Sequence, residues 1–383
     1  MTTSRIFLAS AIALGLTAGC GSASSQAAIP PAATPVACPT TIFDRMTEAE
    51  RVGQLFLVGI PVDGGPGAEA ESAIRDHHLG SVLFSGNSTA GVTTIKNIAG
   101  KVQGLTAATA GVKFLVAANQ EGGEIQPLKG PGFATIPTAV TQGKLTPANL
   151  EQDAAKWGSE LKKAGVNLNL APVMDVVPPG TAAENAPIGA LDREFGDNPQ
   201  TNGEHGAAFI RGMREAGVAT SAKHFPGLGR VRGNTDFTAN VVDTQTTADD
   251  PYLKSFQAAI DAGVPFVMVA LATYTRIDPD HLAVFSTRII QGILRDRLHF
   301  NGAIISDDLG EAAAVANIPP GTRAIDFLQA GGDMITSQTV PAAVAMDEAV
   351  LRRAEADAAF RQDVSNAVMK ILGVKQGYGL LPC

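Results

Sequence analysis

The sequence predicts an α/β chain that folds as a single (β/α)8 barrel. Eight short apolar segments alternate with longer segments whose apolar residues recur at helical spacing. Several helical segments end in a glycine that also begins the next apolar segment, namely Gly165, Gly217, Gly263 and Gly331. An open doubly wound sheet is disfavoured, because the first strand is not followed by the glycine-rich turn of a dinucleotide site.

Each predicted strand is short and rich in Val, Ile, Leu, Phe or Ala, as parallel strands buried on both faces are. In chain order the strands are 55–59, 80–84, 114–119, 167–176, 220–225, 266–273, 303–308 and 333–337. Helical spacing is clearest at 149–164 and 201–216. Because one helix and a tail follow the eighth unit, we expect a single TIM-type barrel over residues 40–383 and no second domain.

The amino-acid composition limits the classes of function that the protein is expected to have. The 383 residues are 45% hydrophobic and 17% charged, which suits a large core. The net charge of −8 argues against a nucleic-acid partner, since such proteins usually carry a basic face. Aromatic residues make up 5%, so a carbohydrate site would rely mainly on polar contacts.

Residues 1–20 have the pattern of an export signal. Arg5 precedes an apolar run at 6–16 that is too short to stay across a bilayer. The following LTAGC, which ends at Cys20, resembles the lipobox of bacterial lipoproteins; that resemblance implies cleavage and lipid attachment at Cys20. We expect an exported protein anchored to the membrane, facing the outside or a periplasm-like space. An ordinary secretory peptide is the alternative.

Residues 21–39 are rich in Ala, Ser and Pro and predict a flexible tether. Beyond Cys20, the remaining cysteines are Cys38 and Cys383. In an oxidising compartment these two residues suggest a disulfide between the chain ends, which a barrel brings close together. Two free thiols are the alternative.

Polar and ionisable residues lie at the C-terminal ends of several predicted strands. They occur at Asn119-Gln120-Glu121, Asp175, Lys223-His224 and Ser306-Asp307-Asp308. Barrel enzymes act at the C-terminal ends of their strands, and buried charge is costly for stability alone. Together these residues predict a catalytic site, although Asp175 by itself also fits a satisfied core carboxylate.

These segments resemble the motifs of glycoside hydrolase family 3. AKHFPGLG at 222–229 resembles the family's KHFPGHG, and GAIISDDL at 302–309 resembles its nucleophile strand. NQEGG at 119–123, LAPVMDV at 170–176 and DREFG at 192–196 match further motifs in the family's order. The single-domain form is similar to NagZ-type β-N-acetylhexosaminidases.

The resemblance implies a retaining mechanism with two carboxyl groups. Asp307 takes the nucleophile's position, and Asp308 that of a support residue bonded to backbone or to Lys223. The NagZ-type Asp-Ser-His triplet falls on Asn234-Thr235-Asp236, so Asp236 replaces the proton-transferring His and Asn234 its carboxylate partner. We assign Asp236 as acid/base; an Asp that merely terminates a turn is the alternative.

The resemblance also implies substrate contacts from Lys223, His224, Arg193 and Asn119, and Asp175 is predicted as a further substrate-binding residue. His224 is expected to be a neutral hydrogen-bonding group. Family positions differ at Asn119, where the family has Asp, and at Glu124 and Pro127, where it has Arg. Glycines at 227, 229 and 233 indicate that the loop 227–236 is free to swing Asp236 into and out of the site.

No cofactor or metal is expected, since the six His residues show no ligand spacing. The function predicted is a monomeric, retaining exo-β-N-acetylglucosaminidase acting on peptidoglycan fragments. Two alternatives remain: the same chemistry on a β-glucoside or β-xyloside, and a catalytically silent lipoprotein that binds wall fragments.

Overall fold

The structure, a computed structural model, describes residues 38–383. The predicted signal peptide 1–20 with Cys20, and tether residues 21–37, lie outside the described residues. Helix α1 spans Cys38–Arg45, so the last two residues predicted as tether are helical instead. A proline at position 39 is compatible with this because the first turn of a helix has no partner for its N–H groups.

Eight parallel strands close into a barrel, and each corresponds to one predicted strand. The order around the barrel is β1, β2, β3, β4, β5, β7, β10, β11. These strands are β1 (Phe56–Pro61), β2 (Ser81–Ser85), β3 (Leu115–Ala118), β4 (Leu168–Asn169), β5 (Ala219–Phe225), β7 (Phe266–Val269), β10 (Ala303–Asp308) and β11 (Met334–Ser337). The first strand closes the ring, since Leu57 pairs with Ser81 of β2 and with Thr336 of β11. The predicted (β/α)8 barrel is confirmed.

Helices surround the barrel and cover its outer face. They are α2 (Glu48–Gly53), α3 (Ala68–His77), α4 (Gly91–Gln103), α5 (Ala139–Gln142), α6 (Pro147–Lys163), α7 (Pro199–Glu215), α8 (Leu253–Asp261), a π-helix (Arg288–Arg297), α9 (Pro320–Gln329), α10 (Val340–Ala356) and α11 (Ala358–Gly377). Short 3-10 turns lie at Thr106–Thr109, Ala182–Glu184, Gly189–Leu191, Ala283–Phe285 and Ala313–Val315. Thr146 and Asn198 cap helices α6 and α7 with their side chains, each before a proline in the first turn.

Two predicted strands differ most in length from the strands observed. The segment 167–176 forms a two-residue strand, and Pro172, three residues further on, has no N–H with which to extend the ladder. Side-chain hydrogen bonds partly replace it: Asn169 accepts from the N–H of Gln120 at 2.9 Å and donates to its carbonyl at 3.0 Å. The segment 266–273 is divided between β7 and the start of a second sheet.

That second sheet was not predicted from the sequence. It contains β6 (Val242–Asp243), β8 (Thr273–Tyr274) and β9 (Asp278–Leu282), in the order β6-β8-β9. Strand β9 reads DPDHL and is largely exposed, so it lacks the apolar pattern that predicts a strand. The sheet supports the active-site end, since the Tyr274 hydroxyl donates to the carbonyl of Gly227 at 2.8 Å.

A disulfide links Cys38, the first residue of α1, to Cys383, the last residue of the chain, with their Cα atoms 6.2 Å apart. Helix α1 also packs against α11. The two ends of the described chain are thus held side by side on the barrel wall.

Candidate active site

One cavity lies at the C-terminal ends of the barrel strands and has a volume of about 560 Å³. Seven of the residues predicted for the site line it. They are Asn119, Arg193, Lys223, His224, Asn234, Asp236 and Asp307. The barrel therefore brings together side chains from β3, β5, β10 and the loops that follow β4 and β5.

Strand β10 ends in two carboxylates with different surroundings. Asp307 faces the cavity and accepts one hydrogen bond, from the Asp308 N–H at 2.9 Å. Asp308 is buried and accepts from the N–H groups of Gly310, Gln338 and Glu311 at 2.9, 2.9 and 3.1 Å. Of the two partners predicted for Asp308, backbone and Lys223, the structure shows the backbone. Asp308 thus fixes the loop after β10, which leaves Asp307 available for chemistry.

Asp236 lies at the open end of the cavity on the loop after β5. Its N–H donates to the Asn234 side-chain oxygen at 3.0 Å, and its carbonyl accepts from the Ala313 N–H at 3.1 Å. Asp236 is exposed as a residue, yet neighbouring atoms partly desolvate its carboxyl group. Burial and the charge of Asp307 raise the pKa of Asp236, against the opposing effect of His224 and the nearby cations. A carboxyl group in this setting keeps its proton to higher pH than usual, as a general acid requires.

The loop 227–236 is anchored along its length. The Asn185 amide donates to the carbonyls of Leu228 and Val231 at 2.7 and 2.6 Å. Arg230 pairs with Asp250 at 2.5 Å. Gly229 is required because its backbone packs closely against a neighbouring segment: a Cβ atom at this position would collide with the carbonyl oxygen of Val176. In this conformation the loop holds Asp236 in the cavity.

Asp175 supports the site from behind. It is fully buried, it does not line the cavity, and it accepts from the His224 side-chain Nδ1 at 2.8 Å. Its other oxygen accepts from the N–H groups of His224 and Leu228 at 3.0 and 2.9 Å. The structure therefore places Asp175 behind His224, in a position to orient its ring, whereas a substrate contact was predicted. The peptide bond between Lys223 and His224 is cis.

Glu121 is central to the site, although its position at a strand end was noted without any role being predicted for it. Its carboxylate accepts two hydrogen bonds from Arg193, both at 2.8 Å, and one oxygen lies 2.7 Å from Lys223 Nζ. Lys223 Nζ also donates to the Asn119 side-chain oxygen at 2.7 Å, and Arg193 donates to the carbonyl of Pro187 at 2.7 Å. The sequence shows Glu121 at a strand end, but no local pattern shows that it pairs with two distant cations.

The charges of this cluster stabilise one another. Burial alone would raise the pKa of Glu121, but Arg193 and Lys223 outweigh burial and lower that pKa to about 2. Burial lowers the pKa of Lys223, and Glu121 and Asp307 oppose that shift. For Arg193, the attraction of Glu121 outweighs burial and raises the pKa. The cavity floor thus carries two cations fixed by one buried carboxylate, with Asp307 close enough to interact with both.

Two of the three departures from the family pattern lie away from the cavity. Glu124 is exposed and Pro127 is half-buried, and neither lines it. Asn119 does line it, as a neutral amide bound to Lys223. The expected change in sugar contacts therefore rests on Asn119 alone.

The cavity mouth includes residues that sequence reasoning missed. Phe237, Glu311 and Gln338 line it together with Asp236. Phe237 follows Asp236 directly, but an isolated phenylalanine in a polar loop carries no pattern that marks it as functional.

Within residues 38–383, no group of three or more His, Cys, Asp and Glu side chains is arranged to hold a metal ion. None of the helices between Cys38 and Cys383 combines the length and the apolar character needed to cross a bilayer.

A closed parallel barrel in which two carboxyl groups, Asp236 and Asp307, line one cavity at the C-terminal ends of the strands is typical of barrel-type glycoside hydrolases. The chain belongs to glycosyl hydrolase family 3, because residues 47–374 match the "Glycosyl hydrolase family 3 N terminal domain". The predicted family is therefore confirmed.

Relatives agree with this assignment. The crystal structure of the β-N-acetylhexosaminidase from Beutenbergia cavernae DSM 12333 superposes with a TM-score of 0.85 at 46% identity, covering 86% of this chain and 99% of that chain. A family 3 β-N-acetylglucosaminidase from Paenibacillus sp. str. FPU-7 has a TM-score of 0.79 at 26% identity, covering 88% of this chain and 63% of that chain. The β-hexosaminidase of Hydrogenovibrio crunogenus is 36% identical over 248 residues, which are 62% of this chain and 66% of that protein.

Proposed function

We propose that the protein is a retaining exo-β-N-acetylglucosaminidase that removes terminal β-linked N-acetylhexosamine from peptidoglycan fragments. The observation that carries this proposal is the meeting of Asp307 and Asp236 in one cavity, where Asp307 helps to raise the pKa of Asp236. Similarity to the named β-N-acetylhexosaminidases supports the choice of sugar.

In the first step, the Asp307 carboxylate attacks the anomeric carbon and the glycosidic bond breaks. Asp236 donates its proton to the leaving oxygen, so that the aglycone departs as a neutral alcohol. In the second step, Asp236 accepts a proton from water, whose oxygen attacks the anomeric carbon and releases Asp307. The sugar leaves with its original configuration.

The fixed cations orient the sugar in this proposal. Lys223 and Arg193 present N–H groups at the cavity floor, and Glu121 holds both so that little rotamer entropy is lost on binding. His224 is aligned by Asp175 and forms part of the wall.

The test is turnover of 4-nitrophenyl N-acetyl-β-D-glucosaminide by the parent protein and its variants. Asp307→Ala abolishes turnover. Asp236→Ala lowers it, and added azide restores it by giving the β-glycosyl azide. Asp296→Ala is the matched control, since Asp296 is exposed and does not line the cavity, and it leaves the rate unchanged. NMR of the first product shows the β-anomer; the α-anomer refutes the retaining mechanism.

Asn119 favours one alternative, a different β-glycoside, because it presents an amide where the family has a carboxylate. A panel of aryl β-glucoside and β-xyloside substrates tests this, and preferential cleavage of either sugar supports it. Binding of wall fragments without turnover of any substrate supports the catalytically silent alternative.

We also propose that the protein is exported, held at the membrane by lipid on Cys20, and monomeric. The lipobox-like LTAGC sequence supports the anchor. Cys20→Ala is expected to move the protein from the membrane to the soluble fraction; retention in the membrane contradicts the proposal. Light scattering of the released protein gives its oligomeric state.

A further inference from the structure

Phe237 is exposed beside the acid/base of the proposed function. Its side chain is 83% exposed, and Val242, at 42%, is the other large hydrophobic residue exposed within residues 38–383. Most large apolar side chains in this part of the chain are buried in the core. An exposed phenylalanine at a cavity mouth has apolar surface available for a ligand.

Backbone hydrogen bonds fix the turn that carries this ring. The N–H groups of Phe237 and Thr238 both donate to the Asn234 carbonyl, at 3.1 and 2.8 Å. The N–H groups of Ala313 and Ala314, from the loop after β10, donate to the carbonyls of Asp236 and Thr235, both at 3.1 Å. Phe237 therefore lies on a turn that is fixed by backbone hydrogen bonds and that contacts the loop after β10, the strand of Asp307.

Its position identifies the part of the substrate that it meets. Asp236 must approach the leaving oxygen, so the residue beside it at the open end of the cavity lies on the leaving-group side. The fixed cations Arg193 and Lys223 lie at the floor of the cavity, where the proposed function places the terminal sugar. Phe237 also provides the aromatic ring in the cavity lining, which otherwise consists of aliphatic and polar side chains and His224.

We propose that Phe237 forms a stacking platform for the pyranose ring of the leaving group. This inference rests on the proposed function. The C–H bonds on one face of a pyranose suit the negative face of an aromatic ring, and a rigid aromatic side chain loses little entropy on contact. The platform makes the enzyme favour substrates whose leaving group is itself a sugar ring.

The experiment compares two substrates on the full chain. N,N'-diacetylchitobiose has a pyranose leaving group, whereas N-acetyl-β-D-glucosaminyl fluoride has a leaving group without a ring. For both, kcat/KM reports formation of the glycosyl-enzyme, so the comparison isolates the leaving-group contact. Phe237→Ala is expected to lower kcat/KM for the disaccharide by about 10- to 30-fold and to leave that for the fluoride within about twofold.

Two variants complete the test. Phe237→Trp restores the disaccharide rate, and Val242→Ala, which removes the other exposed apolar side chain, leaves both rates unchanged. Equal losses on both substrates in Phe237→Ala identify a role in holding the loop and overturn the proposal, as does an unchanged disaccharide rate. A parent protein that cleaves neither substrate refutes the proposed function, and with it this inference; an active parent with an unaffected Phe237→Ala variant refutes the inference alone.

Discussion

Replacing Glu121 by Gln tests the buried charge cluster most directly. The side chain is 6% exposed and pairs with Arg193 and Lys223, which are 13% and 3% exposed. A pKa lowered from 4.5 to about 2 corresponds to roughly 3 kcal/mol at about 1.4 kcal/mol per pKa unit. Removing one partner of a buried ion pair usually costs about 3–5 kcal/mol, since the other charge stays buried and uncompensated. We therefore expect Glu121→Gln to lower the free energy of unfolding by about 3–5 kcal/mol at pH 7.

The same cluster predicts that the stability of the fold depends on pH in the acid range. The folded-state pKa of Glu121 is below its unfolded value. The contribution of Glu121 to the free energy of unfolding is therefore present above about pH 4.5 and is lost as the pH falls toward 2. The difference in the free energy of unfolding between the parent and Glu121→Gln should therefore become smaller in acid.

Urea denaturation at pH 7 and pH 3 measures both effects, with fluorescence of Trp157, the single tryptophan, as the probe. Trp157 is 7% exposed and lies in α6 with its ring centroid 6.4 Å from that of Phe209, so unfolding changes its surroundings. Glu151→Gln is the matched control. Its partner Arg211 is 2.7 Å away, but both side chains are about one-third exposed, and such pairs contribute about 0–1 kcal/mol. Equal losses in the two variants at pH 7 would refute the reasoning.

Three further predictions concern pH and the chain ends. The raised pKa of Asp236 predicts that kcat/KM falls on the alkaline side as this acid loses its proton; a pH profile in which Asp236→Asn keeps that limb contradicts the assignment. Cys383→Ser should lower the free energy of unfolding by about 2–5 kcal/mol because Cys38 and Cys383 close a long loop, and an unchanged urea midpoint argues against a stabilising bond. Burial lowers the pKa of Lys375 to about 7, so the unfolded chain binds more protons between pH 7 and 10.5 and stability should rise over that range. Lys375→Met should remove that rise in urea midpoint, and a slope equal to the parent's contradicts this account.

Much of the fold follows from the sequence because apolar runs and helix-ending glycines are local signals. Gly165 and Gly217 have φ values of 79° and 74°, a left-handed conformation that favours glycine after a helix. The β9 strand was missed because its pairing with β8 involves polar, exposed residues.

The site was predictable where a residue type and a strand end sufficed, as for Asp307 and Lys223. It was not predictable where roles depend on partners distant in sequence. Glu121 meets Arg193 across 72 positions, and Asp175 is hidden behind His224 across 49 positions. Such pairings are set by barrel closure, which no local pattern encodes.

The disulfide between Cys38 and Cys383 makes the described chain a covalent ring. A protease that cuts one exposed loop opens this ring without separating the pieces, so the nicked protein keeps its full mass until a reductant is added. The ring also brings the two termini of the barrel to one point on its surface. Circularly permuted variants with new ends in an exposed loop would therefore need only a short linker across the old ones.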